Sequence, residues 1–186
     1  VQNREQTEQL LLAVADDGST TTLIRETDAA WLNIMEFCPK WTADGKHFVW
    51  LNESSGEWTV ELHRRDGTLV GPLTAPGSGV QNVLHLDSLE GFVYVAASND
   101  ATQSHIWKVP LSAASGSPVK LTSDRGIHGA EFGDGTGIWV HSFNTLDGKL
   151  GWNVRRADGA TIGGMHVSLT GTYRVVVATQ AGGKAL

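Results

Sequence analysis

The chain has 186 residues, of which 40% are hydrophobic and 18% charged, a composition typical of a folded globular protein. Its formal net charge is −6, and because an acidic chain is not attracted to phosphates or anionic lipid, nucleic acid and membrane surfaces are not expected as partners. No apolar run approaches the roughly 18 residues of a membrane-spanning helix, so no such span is expected either.

Short β-prone runs, separated by clusters of Gly, Asp, Asn and Ser, make up almost the whole chain. Residues 3–12 could pass for an amphipathic helix, but they continue directly into the apolar run Leu11–Val14. The later runs are rich in Val, Trp, Tyr and Thr, which suit a pleated, half-buried surface. They are residues 47–51, 58–62, 92–96, 138–141 and 173–177. The sequence therefore predicts an all-β protein.

The turns between these runs recur at a regular spacing. Asp17-Gly18 is followed by Asp66-Gly67 after 49 residues, by Ser115-Gly116 after another 49 and by Asp158-Gly159 after a further 43. The pair Leu-Thr also recurs, at residues 73–74 and 121–122. A repeat of this length with four short strands is the size of a β-propeller blade.

A second turn signature, an acidic residue before Gly, opens the inner part of each repeat at Asp44-Gly45, Glu90-Gly91 and Asp134-Gly135. About sixteen strands result, which predicts a partial β-propeller of about four blades of four-stranded antiparallel sheets, half of an eight-bladed ring. The arc is expected to start with the two outer strands of a blade and to end in a strand pair at residues 165–169 and 172–178. A four-bladed ring and a β-sandwich are the less favoured alternatives.

An arc leaves sheet faces uncovered at both ends, which is unfavourable. We therefore expect residues 1–186 to be a single propeller segment that either belongs to a longer chain or closes by forming a homodimer. The single cysteine, Cys38, allows no internal disulfide and is predicted to be buried and structural. It leaves the compartment open, with a periplasmic or secreted location slightly favoured. The seven histidines show no metal-ligand spacing, so no metal and no cofactor is expected.

From about Thr22 to Phe143 the chain resembles the N-terminal propeller of dipeptidyl peptidase IV-like enzymes, which are serine exopeptidases of the prolyl oligopeptidase group. The matching segments occur in the family's order. They are Glu26–Asn33, Trp41–Trp50, Glu53–Trp58, Asp66-Gly67, Leu73-Thr74, Val93–Ser98, Leu121-Thr122, Gly126–His128 and Glu131–Gly135.

The resemblance implies a role in proteolysis. Members of the family remove short peptides from the N-terminus of a substrate, usually after Pro or Ala. A separate C-terminal α/β-hydrolase domain carries their Ser-Asp-His triad. This chain contains no Gly-x-Ser-x-Gly nucleophile elbow, and Gly77-Ser78-Gly79 lies in a Pro- and Gly-rich stretch that favours a loop. It also has no adjacent pair of glutamates, the feature with which relatives hold the substrate amino terminus.

We therefore expect the chain to lack catalytic residues and to be inactive alone. The resemblance implies that it gates and positions a peptide substrate for its own C-terminal hydrolase domain. The residues after Trp31 approach the active-site mouth in relatives, which implies that Asn33, Met35 and Glu36 face the substrate. Relatives often place an aromatic residue and an Arg there, so a plain blade-connecting loop is the alternative. The alternative function is a stand-alone propeller that binds a partner protein or a glycan.

Overall fold

The computed structural model of this protein consists of antiparallel β-sheets, and it describes residues 1–35, 37–133, 135, 137–167 and 175–177. Within that part the one helix is a three-residue 3-10 turn, Ala113–Ser115. The strands are β1 Glu8–Val14, β2 Thr20–Thr27, β3 Lys40–Trp41, β4 His47–Asn52, β5 Thr59–Arg64, β6 Leu69–Pro72, β7 Val80–Asp87, β8 Phe92–Ala97, β9 His105–Pro110, β10 Val119–Lys120, β11 Gly126–Phe132, β12 Ile138–Thr145, β13 Leu150–Arg156, β14 Thr161–Val167 and β15 Val175–Val177.

Consecutive strands are hydrogen-bonded neighbours in every sheet. The first sheet pairs β1 with β2, the second runs from β3 to β6, the third from β7 to β10 and the fourth from β11 to β15. Four meandering sheets in chain order are the architecture of a partial β-propeller, which confirms the predicted fold class. The predicted terminal strand pair is present where residues 165–167 pair with 175–177, and its remaining residues lie outside the described part of the chain.

Because each sheet is a meander, its connections alternate between two ends. We call the end with the hairpin turns after β1, β3, β5 and the later odd-numbered strands the turn end, and the opposite end the loop end. At the turn end the Ala43 N–H donates to Ser88 Oγ at 2.8 Å, and at the loop end the Gly77 N–H donates to Glu57 Oε2 at 2.8 Å. Hydrogen bonds between connections therefore tie neighbouring sheets together at both ends.

The recurring Asp-Gly turns share one conformation. In each, the Asp carboxylate accepts the backbone N–H two residues later at 2.9 Å, and the Gly φ lies between +83° and +88°. Glycine reaches this left-handed region without the cost that a Cβ imposes. The three turns are Asp17-Gly18, Asp66-Gly67 and Asp158-Gly159.

Each Leu-Thr pair directly follows the outermost strand of its sheet, β6 or β10. Thr74 Oγ1 accepts the buried N–H of Val60 at 3.0 Å, while the Leu73 N–H donates to the Val60 carbonyl at 2.7 Å. In the next sheet Thr122 accepts from Ile106 at 3.1 Å in the same way, and Leu121 donates back at 2.8 Å. The Leu-Thr pair thus satisfies both backbone groups of one residue on the neighbouring strand, β5 or β9.

The core lies between the sheets, and its chemistry differs from one seam to the next. Between the second and third sheets it is aliphatic, with the residues Val49, Val60, Val83 and Val95 at most 1% exposed. Burial of each such side chain contributes about 1.5–3 kcal/mol. Between the third and fourth sheets it is aromatic, and Tyr94 and Trp139 both flank Phe132, with ring centroids 4.5 and 5.6 Å away.

The far face of the fourth sheet is uncovered by the described residues. Its apolar side chains include Ile127, Leu150 and Trp152, which are 51%, 68% and 37% exposed. The residues that alternate with them, such as His128, point into the seam with the third sheet and are buried. A sheet with apolar residues on both faces is expected at the open end of a partial propeller.

Candidate functional site

The connection between β2 and β3, residues 28–39, contains the residues that the sequence predicts to face the substrate. It begins in a side-chain-capped turn, in which Asp28 Oδ1 accepts the N–H groups of Ala30 and Trp31 at 2.7 and 3.2 Å. The Leu32 backbone is then fixed on both sides, because its N–H donates to the Gln6 carbonyl at 2.6 Å and its carbonyl accepts from Gln2 Nε2 at 2.7 Å. Hydrogen bonds therefore hold the first part of the loop, residues 28–32, in place.

Side chains along this loop alternate between core and solvent with a spacing of three. Leu32 is buried, and Met35 and Cys38 pack against the apolar core between the second and third sheets. The residue before Leu32, the residue before Met35 and the residue before Cys38 point outward. They are Trp31, Ile34 and Phe37, which are 65%, 59% and 55% exposed and which we call the loop patch.

Three large exposed apolar side chains therefore lie within seven residues of one loop. The Lys40 ammonium lies 5.9 Å from the Phe37 ring centroid, at the edge of cation–π range. The sequence does not predict this patch, because side-chain direction in an irregular loop follows no regular strand or helix period.

The two predicted site residues that the structure describes differ in their exposure. Asn33 lies at the surface of the loop end, where its Nδ2 donates to Glu53 Oε2 at 2.8 Å. Met35 is half-buried against the core, so its side chain helps to anchor the loop. Glu36 lies outside the described residues. The substrate-facing assignment of the three therefore stays a prediction.

Two carboxylates and a histidine occupy the seam between the first and second sheets. Glu26 Oε1 accepts from Trp50 Nε1 at 2.8 Å, and Glu61 Oε2 lies 2.9 Å from His63 Nε2. Burial raises the pKa of Glu26, against the effect of the Trp50 hydrogen bond, which lowers it. These residues come from β2, β4 and β5, and their proximity depends on sheet packing that the sequence does not reveal.

Neither Cys38 nor Ser78 has an activating partner among the described residues. Burial raises the pKa of the Cys38 thiol to about 11, so the reactive thiolate is scarce at neutral pH. Ser78 lies between Gly77 and Gly79, whose φ angles are +74° and +62°. Its buried Oγ makes no hydrogen bond within the described residues, so no general base contacts it there.

Within the described part of the chain, no group of three or more His, Cys, Asp or Glu side chains is arranged to hold a metal ion. No helix there is long and apolar enough to cross a membrane. The seven tryptophans differ in burial, with Trp58 and Trp107 partly buried and Trp152 37% exposed. Trp50 and Trp139 are buried, whereas Trp31 and Trp41 are 65% and 41% exposed.

Comparison with known protein families identifies one that matches most of this chain. A family model for the dipeptidyl peptidase IV (DPP IV) N-terminal region matches residues 1–149, a range that includes the segments in which the sequence resembles such enzymes. The resemblance seen in the sequence is thereby confirmed.

Solved structures agree on the fold. Porphyromonas gingivalis dipeptidyl peptidase 4 aligns with 95% of this chain at 15% identity and a TM-score of 0.76, and this chain covers 28% of that protein's length. A protein from Agrobacterium tumefaciens described as TolB aligns with 83% of this chain at 14% identity and a TM-score of 0.53, over 60% of its own length. At these low identities, both similarities are evidence for the fold alone.

Proposed function

This chain belongs to the dipeptidyl peptidase IV N-terminal region family, and from that premise we propose that it is the non-catalytic propeller portion of a dipeptidyl aminopeptidase-type serine peptidase. In this role residues 1–186 form one propeller segment. The segment gates and positions peptide substrates for an α/β-hydrolase domain that lies elsewhere in the parent protein. The support is the family match together with the lack of an activated nucleophile at Cys38 and Ser78.

The observation that carries the positioning role is the geometry of the loop between β2 and β3. The loop patch offers apolar side chains at the loop end, and the backbone of Leu32 beside Trp31 is held by hydrogen bonds to Gln6 and Gln2. A rigid apolar surface can bind a peptide side chain at little entropic cost. Beside it, the Asn33 amide is held in place by Glu53, where it can hydrogen-bond a peptide backbone.

The first test is catalytic competence of the chain alone. Purified residues 1–186 are expected to release no chromophore from Gly-Pro or Ala-Pro chromogenic substrates, because the described residues contain no base-activated serine or cysteine. Turnover that persists when every serine is replaced, but is lost with a propeller residue, would contradict the proposal.

The second test concerns the loop patch in the full-length parent enzyme. Replacing Trp31 or Phe37 by Ala is expected to raise KM for peptide substrates about three- to tenfold and to leave kcat within about twofold, since the patch contributes binding rather than chemistry. Leu69→Ala is the matched control, because Leu69 is 51% exposed on β6, away from the loop. Unchanged KM in both patch variants would contradict the positioning role of the patch.

A further inference from the structure

A cavity of about 260 Å³ lies where the connection between β6 and β7, residues 73–79, meets the third sheet. The third sheet contributes an apolar lining from three adjacent strands. Val80, Val95 and Val109 are at most 5% exposed, and Trp107 adds an aromatic side chain. The proposed peptidase role does not use this cavity.

The β6–β7 connection contributes two hydroxyl groups to the lining. Ser78 Oγ is buried and has no hydrogen-bond partner within the described residues. Thr74 Oγ1 accepts the Val60 N–H at 3.0 Å, but no described residue accepts the hydrogen of the Thr74 hydroxyl. A buried hydroxyl that lacks a partner costs free energy, so both groups are available to a molecule inside the cavity.

The third sheet shows how the equivalent threonine is satisfied inside the protein. Thr122 Oγ1 lies 3.1 Å from the Ile106 nitrogen and 3.1 Å from His105 Nδ1, so its hydroxyl can donate to a neutral ring while it accepts the N–H. In the second sheet Thr59 takes the place of His105, and no hydrogen bond joins it to Thr74 in the described structure. The unused hydroxyl hydrogen is therefore particular to the seam that contains the cavity.

Water and anions are both poor occupants of this space. A buried water makes about three hydrogen bonds, and apart from the two hydroxyls the lining has one polar side chain among the described residues, the exposed Asn99. No charged side chain of the described chain lines the cavity, and the Glu57 carboxylate accepts the Gly77 N–H beside Ser78. These features favour a neutral and mainly apolar occupant.

We propose that this cavity binds a small neutral molecule with an apolar body and one carbonyl oxygen. The carbonyl oxygen accepts from the Ser78 hydroxyl and has a second lone pair for Thr74, while the apolar body contacts the valines of the third sheet. An apolar cavity of about 150 Å³ holds benzene, so one of about 260 Å³ fits roughly ten non-hydrogen atoms. A ligand of that size is expected to bind with a Kd of about 0.1–1 mM.

NMR titration of the whole chain, with ¹³C-labelled valine methyl groups, tests the site. The probes are acetophenone and its isostere α-methylstyrene, in which CH₂ replaces the carbonyl oxygen. Both should shift the methyl signals of Val80, Val95 and Val109 and the indole signal of Trp107, whereas Val154 on β13 should not respond. Cavity signals that stay in place at about 5 mM acetophenone, well above the expected Kd, would overturn the proposal.

Variants then test the carbonyl contact separately from the fit of the apolar body. Ser78→Ala should weaken acetophenone binding about three- to tenfold, the contribution of one neutral hydrogen bond, and leave α-methylstyrene within about twofold. Ser54→Ala, at an exposed position of the β4–β5 hairpin, should change neither Kd. Ala97→Leu fills the cavity and should abolish binding of both probes.

An equal loss of both probes in Ser78→Ala, or no loss of either, would overturn the assigned carbonyl site. The wild-type and Ser78→Ala titrations decide the question even if Ala97→Leu does not fold.

Discussion

At the scale of single residues, His63 makes two hydrogen bonds that only a doubly protonated ring can donate together. Its Nδ1 lies 3.0 Å from the Gly67 carbonyl oxygen and its Nε2 lies 2.9 Å from a Glu61 carboxylate oxygen. Burial, the largest single influence, lowers the pKa of His63. The hydrogen bonds to Glu61 and Gly67 and the charges of Glu61 and Glu26 outweigh it, so that the pKa is raised above 6.5. The folded protein therefore favours the protonated form of His63 more than an exposed imidazole would be favoured.

The pH dependence of stability follows from the sign of the His63 shift. A histidine whose pKa is raised on folding contributes stability that is fully present below about pH 6.5 and is lost as pH rises through the folded-state pKa. His63→Gln should therefore lower the free energy of unfolding by about 2 kcal/mol at pH 6, and the difference should shrink by pH 8.5. Urea unfolding at both pH values measures it, with His47→Gln as the control. An equal deficit at pH 6 and pH 8.5 would show that the His63 charge contributes nothing.

At the scale of elements, the Leu-Thr pair explains why a two-residue motif recurs in the sequence. Thr74→Val keeps the shape of the side chain but leaves the buried Val60 N–H without an acceptor, so it should cost about 1–3 kcal/mol in the free energy of unfolding. Thr74→Ser keeps the hydroxyl and should cost less. Thr122→Val should repeat the loss in the third sheet, because Thr122 makes the same contact with Ile106. Urea midpoints at constant m value measure all three, and a Thr74→Val cost no larger than that of Thr74→Ser would contradict the assigned role.

The sequence predicts elements whose causes are local, and misses those whose causes are not. Asp66-Gly67 indicates a tight turn because the carboxylate caps its own turn and Gly supplies the left-handed φ. The inward and outward directions along residues 28–39 could not be predicted, because they depend on the Leu32 backbone being bonded to Gln6 and Gln2, far away in the chain.

At the scale of the whole molecule, the sheets fit together through backbone contacts at the turn end. Gly67, in the turn between β5 and β6, lies so close to Leu23 on β2 that a Cβ would overlap the Leu23 carbonyl and lie 2.9 Å from its Cα. Gly159 occupies the same position in the fourth sheet, where a Cβ would meet Leu121 Cδ2 at 3.4 Å. Gly18 has the same φ region but nothing within 4 Å. The three glycines therefore share a conformation and differ in what surrounds them.

Because the three glycines differ in their surroundings, substitutions at them distinguish two contributions to the free energy of unfolding. One is the strain of a left-handed turn, and the other is the packing of one sheet against the next. Gly18→Ala should cost about 1 kcal/mol, the price of a left-handed Cβ alone. Gly67→Ala should cost at least about 3 kcal/mol, because the β1–β2 hairpin must also move away from the second sheet. Gly159→Ala should fall between them, since the Leu121 side chain can shift. Urea unfolding gives the three values, and amide exchange should show lost protection across β1 and β2 in Gly67→Ala but not in Gly18→Ala. Equal costs for Gly18→Ala and Gly67→Ala would mean that the turn glycines serve their own hairpins only, and that the contact with Leu23 does not hold the first sheet in place.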